Sequence, residues 1–131
     1  MQHLIQETLN GHPELGHLAG PIQRAVQIIV DCAQNKHEVL TCGNGGSAAD
    51  SEHIVGEFMK RFRLPRPLDP ATKEALIRQY GQEGERMASA LEQPVEAIAL
   101  TSQSALLTAF SNDVAADLAF AQQVLGYGKP G

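Results

Sequence analysis

Apolar residues recur at helical spacing in two stretches near the start of the chain, and glycines and prolines between residues 11 and 21 separate them. The first stretch predicts a helix over residues 1 to about 10. The second predicts a helix from Pro21, a favourable first helical residue, to about Gln34. The apolar positions are Leu4, Ile5 and Leu9 in the first helix and Ile22, Ala25, Val26, Ile29 and Ala33 in the second.

Two short runs of β-prone residues predict strands at about 37–42 and 95–101. A helical pattern from Ser47 to about Phe62 follows the first strand. Shorter helical patterns at 104–110 and about 114–125 follow the second. Strands that alternate with helices are typical of α/β proteins with a parallel sheet.

A polar segment at about residues 64–94 separates the two halves of this pattern. Asp69 as N-cap and Pro70 as first helical residue predict that a helix begins there. The segment carries one or two helices, with interruptions expected near Gly81 and Gly84.

The predicted fold class is therefore α/β, a doubly wound parallel sheet flanked by helices. Two strands alone do not make a stable parallel sheet, because its faces and edges stay uncovered. We expect residues 1–131 to be the N-terminal portion of a single, longer domain, with a helical insertion at about 64–94. An incomplete sheet also predicts a dimer or tetramer rather than a stable monomer.

Composition excludes several classes of protein. The formal net charge is −5 without a basic cluster, which argues against nucleic acid as a partner. The two cysteines, Cys32 and Cys42, have no metal-binding or redox spacing and predict a reduced, cytoplasmic chain in which Cys42 is a small buried residue. No apolar run is long enough to span a bilayer, and no secretory signal is evident.

The first strand leads into a glycine-rich loop, Gly43-Asn44-Gly45-Gly46, and then into Ser47 and a helix. Glycines let the backbone approach a ligand closely, and a helix N-terminus presents free N–H groups to an anion. The order strand, loop, helix therefore predicts a site for phosphate or other substrate oxygens. The alternative is a tight turn in which Ser47 only caps the helix.

Four polar residues follow at helical spacing: Asp50, His53, Glu57 and Arg61. They form one narrow stripe, and five apolar residues cover a different face. An imidazole and a carboxylate four residues apart can transfer protons or bind a metal. The alternative is a solvated face with pairs such as Glu57–Arg61, each contributing about 0.3–0.5 kcal/mol. The apolar residues are Ile54, Val55, Phe58, Met59 and Phe62.

Together these motifs resemble the sugar isomerase (SIS) domain family, and within it the bacterial phosphoheptose isomerases. The resemblance covers about residues 20–62 and 95–131. It is carried by Cys42-Gly-Asn-Gly-Gly-Ser47, Asp50, His53, Glu57, Arg61, Ala97-Ile-Ala-Leu-Thr101, Phe110-Ser-Asn-Asp113 and Gly126-Tyr-Gly-Lys-Pro-Gly131.

The resemblance implies a cytoplasmic homotetramer that interconverts sedoheptulose 7-phosphate and glycero-manno-heptose 7-phosphate for lipopolysaccharide precursors. It implies zinc in the full-length protein, with His53 as a ligand and with Glu57 as a zinc ligand, the catalytic base or both. It also implies that one set of residues contacts the substrate, although Asn112 and Asp113 could instead form an ordinary turn. The substrate set is Asn44, Gly45, Gly46, Ser47, Arg61, Asn112 and Asp113.

The family's next strand and C-terminal helix have no counterpart in this sequence. Because those segments complete the phosphate and metal sites in the family, we expect residues 1–131 alone to be nearly inactive. The alternatives are a non-catalytic SIS module that binds a sugar phosphate or a protein, and an isomerase for pentose or hexose phosphates.

Overall fold

The computed structural model describes residues 2–129 and divides them into two compact units, one ending at His37 and one beginning at Glu38. The described residues form seven α-helices and two strands. The helices are α1 (Gln2–Gly11), α2 (Ala19–Gln34), α3 (Gly46–Met59), α4 (Pro70–Tyr80), α5 (Gln82–Ala90), α6 (Ser104–Phe110) and α7 (Ala119–Tyr127), and the strands are β1 (Val39–Thr41) and β2 (Ala97–Ala99).

The first unit consists of α1, a 3-10 helix over Pro13–Leu18, and α2. Both predicted helices are confirmed. Helix α2 begins at Ala19, two residues before the predicted start, so Pro21 lies in the first turn. A proline is tolerated there because its missing N–H would have no partner within the helix.

The second unit contains the parallel sheet, and its α/β class is confirmed. Strands β1 and β2 pair in parallel, with Leu40 opposite Ile98. Both strands are about half as long as predicted, since β2 passes directly into a 3-10 helix over Leu100–Ser102. The buried apolar residues are small except for Leu100, which is 1% exposed; they are Ala88, Ala97, Ala99, Leu100 and Ala119.

Side-chain hydrogen bonds join two helices to the ends of the strands, and two of the side chains in this region, Ser51 and Gln123, are buried. Ser51 is 3% exposed, and its hydroxyl donates to the Ser47 carbonyl oxygen at 2.8 Å. The Thr41 hydroxyl donates to the Ser51 carbonyl oxygen at 3.2 Å, which joins the end of β1 to α3. Gln123 of α7 donates from Nε2 to the Leu100 carbonyl oxygen at 3.0 Å. These bonds satisfy the Ser51 hydroxyl and the Gln123 Nε2, whereas Gln123 Oε1 is buried without a partner within the described residues.

The polar segment forms the packed helices α4 and α5. Gly81 separates them with a φ of 56°, as predicted. The interruption expected at Gly84 is wrong, because Gly84 is a buried residue inside α5. A Cβ there would collide with the carbonyl oxygen of Leu76 in α4. This glycine therefore permits close helix packing and does not break a helix.

Helix α3 ends three residues earlier than predicted, at Met59, because Lys60 is extended. Arg61 and Phe62 consequently lie beyond the helix. The burial predicted for Cys42 is also wrong, since that residue is exposed. Among residues 2–129, no helix is both long and apolar enough to cross a membrane.

The N-cap of α4 provides a pH-dependent test of the fold. Asp69 accepts the Thr72 hydroxyl at 2.7 Å and the Thr72 N–H at 2.9 Å, as predicted for an N-cap. These hydrogen bonds, led by the one from the hydroxyl, hold the pKa of Asp69 below its ordinary value of 3.8. The folded-state pKa is lowered, so the stabilisation is present above about pH 3.8 and is lost as the pH falls through the lowered value.

We expect the Asp69 carboxylate to titrate below pH 3.8 in the protein and nearer that ordinary value in Thr72→Val, which loses the hydroxyl donor. Carbon-detected NMR of the Asp69 carboxyl measures both midpoints. Equal midpoints in the two proteins would show that the hydroxyl does not control the carboxylate.

Candidate functional site

The loop between β1 and α3 brings its backbone close to the first turn of the helix. A Cβ on Gly43 would lie 2.6 Å from the Ser47 carbonyl oxygen, so only glycine fits. Gly45 has φ 58° and ψ −124°, a backbone conformation that favours glycine, and it is the N-cap of α3. The alternative in which Ser47 caps the helix is therefore wrong: its N–H donates to the Asn44 carbonyl oxygen at 3.1 Å.

No side chain caps α3, although the N–H groups of Ser47 and Ala48 donate to the backbone carbonyl oxygens of Asn44 and Gly45, both at 3.1 Å. Asn44, Gly45, Gly46 and Ser47 are all exposed at this helix N-terminus. A loop of exposed glycines and an amide at a positive dipole end can bind an anion or sugar hydroxyls.

A cavity of about 630 Å³ opens beside the loop in the second unit. Its walls come from the loop, from Thr101, which lies two residues after β2, and from the segments around α6 and α7. In open α/β sheets, ligands bind at the carboxyl ends of the strands, which is where this cavity lies. The lining residues are Gly43, Asn44, Gly45, Ala48, Thr101, Leu107, Thr108, Ser111, Asn112, Ala116, Ala119 and Phe120.

Three of the residues predicted to contact substrate meet at this cavity: Asn44, Gly45 and Asn112. Asn112 lies in a π-helical turn over Ser111–Ala115 and not in an ordinary turn. Its Nδ2 donates to Asp113 Oδ1 at 2.8 Å, which holds the amide. Single π-turns inside helical segments are frequent at functional sites. Gly46, Ser47, Asp113 and Arg61 are not among the cavity-lining residues.

His53 and Glu57 share one face of α3, as the spacing predicts. His53 Nε2 lies 3.6 Å from Glu57 Oε1, and Lys60 Nζ lies 3.0 Å from the same oxygen. The His53 side chain is 74% exposed and that of Glu57 only 28%. Glu57 Oε2 is shielded from solvent and has no hydrogen-bond partner within the described part of the chain. Neither residue lines the cavity.

Arg61 does not continue this stripe, and no Glu57–Arg61 ion pair forms. Its Nε lies 3.3 Å from Glu92 Oε1, and its backbone N–H donates to Glu92 Oε2 at 2.7 Å. The early end of α3 causes the difference, since residues four apart meet on a face only while the helix continues.

The donors of His53 and Glu57 suit zinc, which prefers imidazole nitrogen and carboxylate oxygen. The shielded Oε2 of Glu57 is a second ligand atom without a protein partner. Within residues 2–129, no three histidine, cysteine, aspartate or glutamate side chains come together around a possible metal. The pair therefore supplies two of the roughly four ligands of a closed zinc site.

Sequence reasoning missed the hydroxyl residues at the end of β2. Thr101 lines the cavity, and its hydroxyl donates to Glu52 Oε1 at 3.4 Å. The Ser102 hydroxyl donates to the same oxygen at 3.2 Å. The available signal was that Thr101 ends the predicted strand and Ser102 follows it, because polar residues at the carboxyl ends of parallel strands meet at the ligand edge.

A parallel sheet with a glycine-rich loop at the end of its first strand, opening onto a cavity, is typical of α/β domains that bind small molecules. Comparison with known proteins specifies the family: the family model "SIS domain" matches residues 14–112. The chain belongs to the SIS domain family.

Individual relatives share one description. The chain is 35% identical over 114 residues to the phosphoheptose isomerase of Aromatoleum aromaticum, covering 87% of this chain and 44% of the relative. It is 33% identical over 129 residues to that of Shewanella sediminis, covering 98% and 51%. The structure of phosphoheptose isomerase GmhA from Neisseria gonorrhoeae matches with a TM-score of 0.59 and 25% identity, over 98% of this chain and 50% of that one. The chain thus spans about half the length of these relatives.

Proposed function

We propose that this chain forms part of a phosphoheptose isomerase, which interconverts sedoheptulose 7-phosphate and glycero-manno-heptose 7-phosphate. The observation that carries the proposal is the cavity at the β1–α3 loop, lined by Asn44, Gly45 and Asn112, beside the helix that bears His53 and Glu57. The similarity to enzymes named phosphoheptose isomerase supports the substrate. The product would serve the synthesis of heptose for lipopolysaccharide precursors. The enzyme would act in the cytoplasm.

Aldose–ketose isomerisation moves a proton between adjacent carbons through an enediol. It needs one base for the carbon-bound proton and a second group for the hydroxyl proton. Glu57 is the proposed base, because its carboxylate is largely shielded and one oxygen has no partner within residues 2–129. Lys60 and His53 beside Oε1 would orient the carboxylate. Asn44 and Asn112 would hold sugar hydroxyls, and the loop's N–H groups would face substrate oxygens.

Zinc is proposed for the full-length protein, with His53 and Glu57 as two of its ligands. When bound, the metal would polarise the substrate carbonyl. Direct ligation would reduce the basicity of Glu57, so the two roles compete. Zinc titration calorimetry of the natural protein and of His53→Ala tests the ligand assignment, and equal affinities would remove His53 from the site.

A dimer or tetramer is proposed because large apolar side chains lie at the surface of the second unit. Phe62 is 82% exposed and Leu125 is 80% exposed. The two-stranded sheet of the described residues also leaves its strand edges uncovered, which favours association. Sedimentation equilibrium of the natural protein tests this, and a stable monomer at high concentration would contradict it.

The test of the function is an NMR assay of the natural protein at its full length. We expect conversion of sedoheptulose 7-phosphate, and much slower conversion of pentose and hexose phosphates. Preference for one of the latter would replace the substrate assignment. Residues 1–131 alone are expected to be nearly inactive. Full activity of that fragment would contradict the proposal that other parts of the full-length protein complete the site.

A second candidate is a non-catalytic SIS module that binds a sugar phosphate. It is favoured by one observation, that Glu57 and His53 do not line the cavity within the described residues. Binding of sedoheptulose 7-phosphate without any turnover by the full-length protein would decide for this candidate.

A further inference from the structure

The last turn of α3 is held from outside the helix by Arg66. A helix end leaves its last carbonyl oxygens without intrahelical donors. Arg66 Nη2 lies 2.7 Å from the Phe58 carbonyl oxygen, 2.5 Å from that of Lys60 and 3.3 Å from that of Glu57. The cationic guanidinium also lies at the negative end of the helix dipole, where it is favourable.

Arg66 is itself held by the base of the helical insertion, which we call the neck and define as residues 61–67 and 92–95. Pro67 pairs with Glu92 in an antiparallel bridge. The Gln93 N–H donates to the Arg66 carbonyl oxygen at 2.7 Å. Helices α4 and α5 lie between the two sides of the neck, so the neck closes the insertion.

The neck also contacts the end of α3 directly. The Val95 N–H donates to the Phe58 carbonyl oxygen at 2.9 Å. The Glu92 carboxylate accepts a hydrogen bond from the backbone N–H of Arg61, just beyond the helix, and forms an ion pair with the Arg61 guanidinium. The neck therefore supplies donors to the carbonyl oxygens of Glu57, Phe58 and Lys60 at the end of α3.

The same residues carry the proposed base. The Glu57 carboxylate contacts Lys60 at 3.0 Å, and the carbonyl oxygens of both residues lie within reach of Arg66. If the last turn unwinds, the Glu57 side chain and its Lys60 partner move apart. Displacement of a reacting group by about 1 Å can cost about 100-fold in rate.

We infer that Arg66 is a positioning residue: the neck of the 64–94 insertion holds the last turn of α3 and thereby orients the Glu57 carboxylate. The inference rests on the proposed function, in which Glu57 is the base. It also gives the insertion a role.

The test compares Arg66→Met, Arg66→Lys and the control Arg63→Met in the full-length natural protein. Arg63 is an exposed arginine of the same segment, with no hydrogen bond or ion pair to any residue of the described range 2–129. We expect Arg66→Met to lower kcat about 10- to 100-fold with KM nearly unchanged. Arg66→Lys should recover part of this loss, because its ammonium can still donate to a carbonyl oxygen, and Arg63→Met should match the unsubstituted protein.

A double-mutant cycle separates positioning from a general loss of folded protein. If Arg66 acts through Glu57, Arg66→Met should have little further effect on the rate of Glu57→Gln. An unchanged kcat in Arg66→Met, or an equal loss in the Glu57→Gln background, would overturn the inference.

Hydrogen exchange distinguishes failure of the inference from failure of the proposed function. If the unsubstituted protein isomerises no sugar phosphate, the proposed function is wrong. The exchange rates of the amides of residues 57–60 then show whether the neck holds the last turn of α3. Faster exchange there in Arg66→Met but not in Arg63→Met supports the structural part of the inference. Equal exchange in both variants overturns it.

Discussion

Glu57→Gln is expected to lower the isomerisation rate of the full-length protein by about 10²- to 10⁴-fold, the usual contribution of a positioned general base. Glutamine keeps the size of the side chain and can still accept a hydrogen bond from Lys60, which lies 3.0 Å from Oε1. It cannot accept the carbon-bound proton of the substrate. The loss should therefore appear in kcat, with a smaller change in KM, measured by NMR of sedoheptulose 7-phosphate conversion.

The matched control is Glu74→Gln, which makes the same chemical change at an exposed residue of α4. Its rate should equal that of the unsubstituted protein. His53→Ala should act differently from Glu57→Gln, mainly by weakening metal binding or local order, so that added zinc restores part of its activity. An unimpaired Glu57→Gln protein would show that the base is another residue.

Gly43→Ala is expected to destabilise the protein by about 1–3 kcal/mol, the usual range for an added methyl group in a close-packed place. The new Cβ would lie 2.6 Å from the carbonyl oxygen of Ser47 and 2.7 Å from its carbonyl carbon. These are backbone atoms of the first turn of α3, so the loop itself must move. Urea unfolding measures the loss of stability, and sugar-phosphate affinity should fall with it.

Gly46→Ala is the control for stability. Gly46 lies three residues after Gly43 and is the first residue of α3. A Cβ at Gly46 would have no atom within 4 Å, and Gly46 does not have a positive φ. Its free energy of unfolding should therefore stay the same or rise by up to about 1 kcal/mol, because alanine restricts the unfolded chain more than glycine does. Equal destabilisation by the two substitutions would show that the close approach at Gly43 does not control the loop.

Features of the fold that depend on residues close together in the chain were predictable from the sequence. Helices α1, α2 and α6 were predictable because their apolar spacing and their glycine and proline boundaries are local. The cap at Asp69 was predictable for the same reason, since its partner Thr72 is three residues away. The roles of His53, Glu57 and Asn44 stay predictions, because contacts within the chain do not test them.

The sequence alone determined that this is an α/β domain with a candidate sugar-phosphate site. The features that determined it are the alternation of strands and helices, the glycine loop followed by a helix, and an imidazole four residues from a carboxylate. Only the tertiary structure decided that Asn44 and Asn112 line one cavity, that Arg61 pairs with Glu92, and that Gly84 packs against α4. It also decided that α3 ends at Met59, where Arg66 and Val95 satisfy its last carbonyl oxygens. The physical reason is that these contacts join residues eight or more positions apart, and the local periodicity of a helix or strand carries no information about which such partners meet.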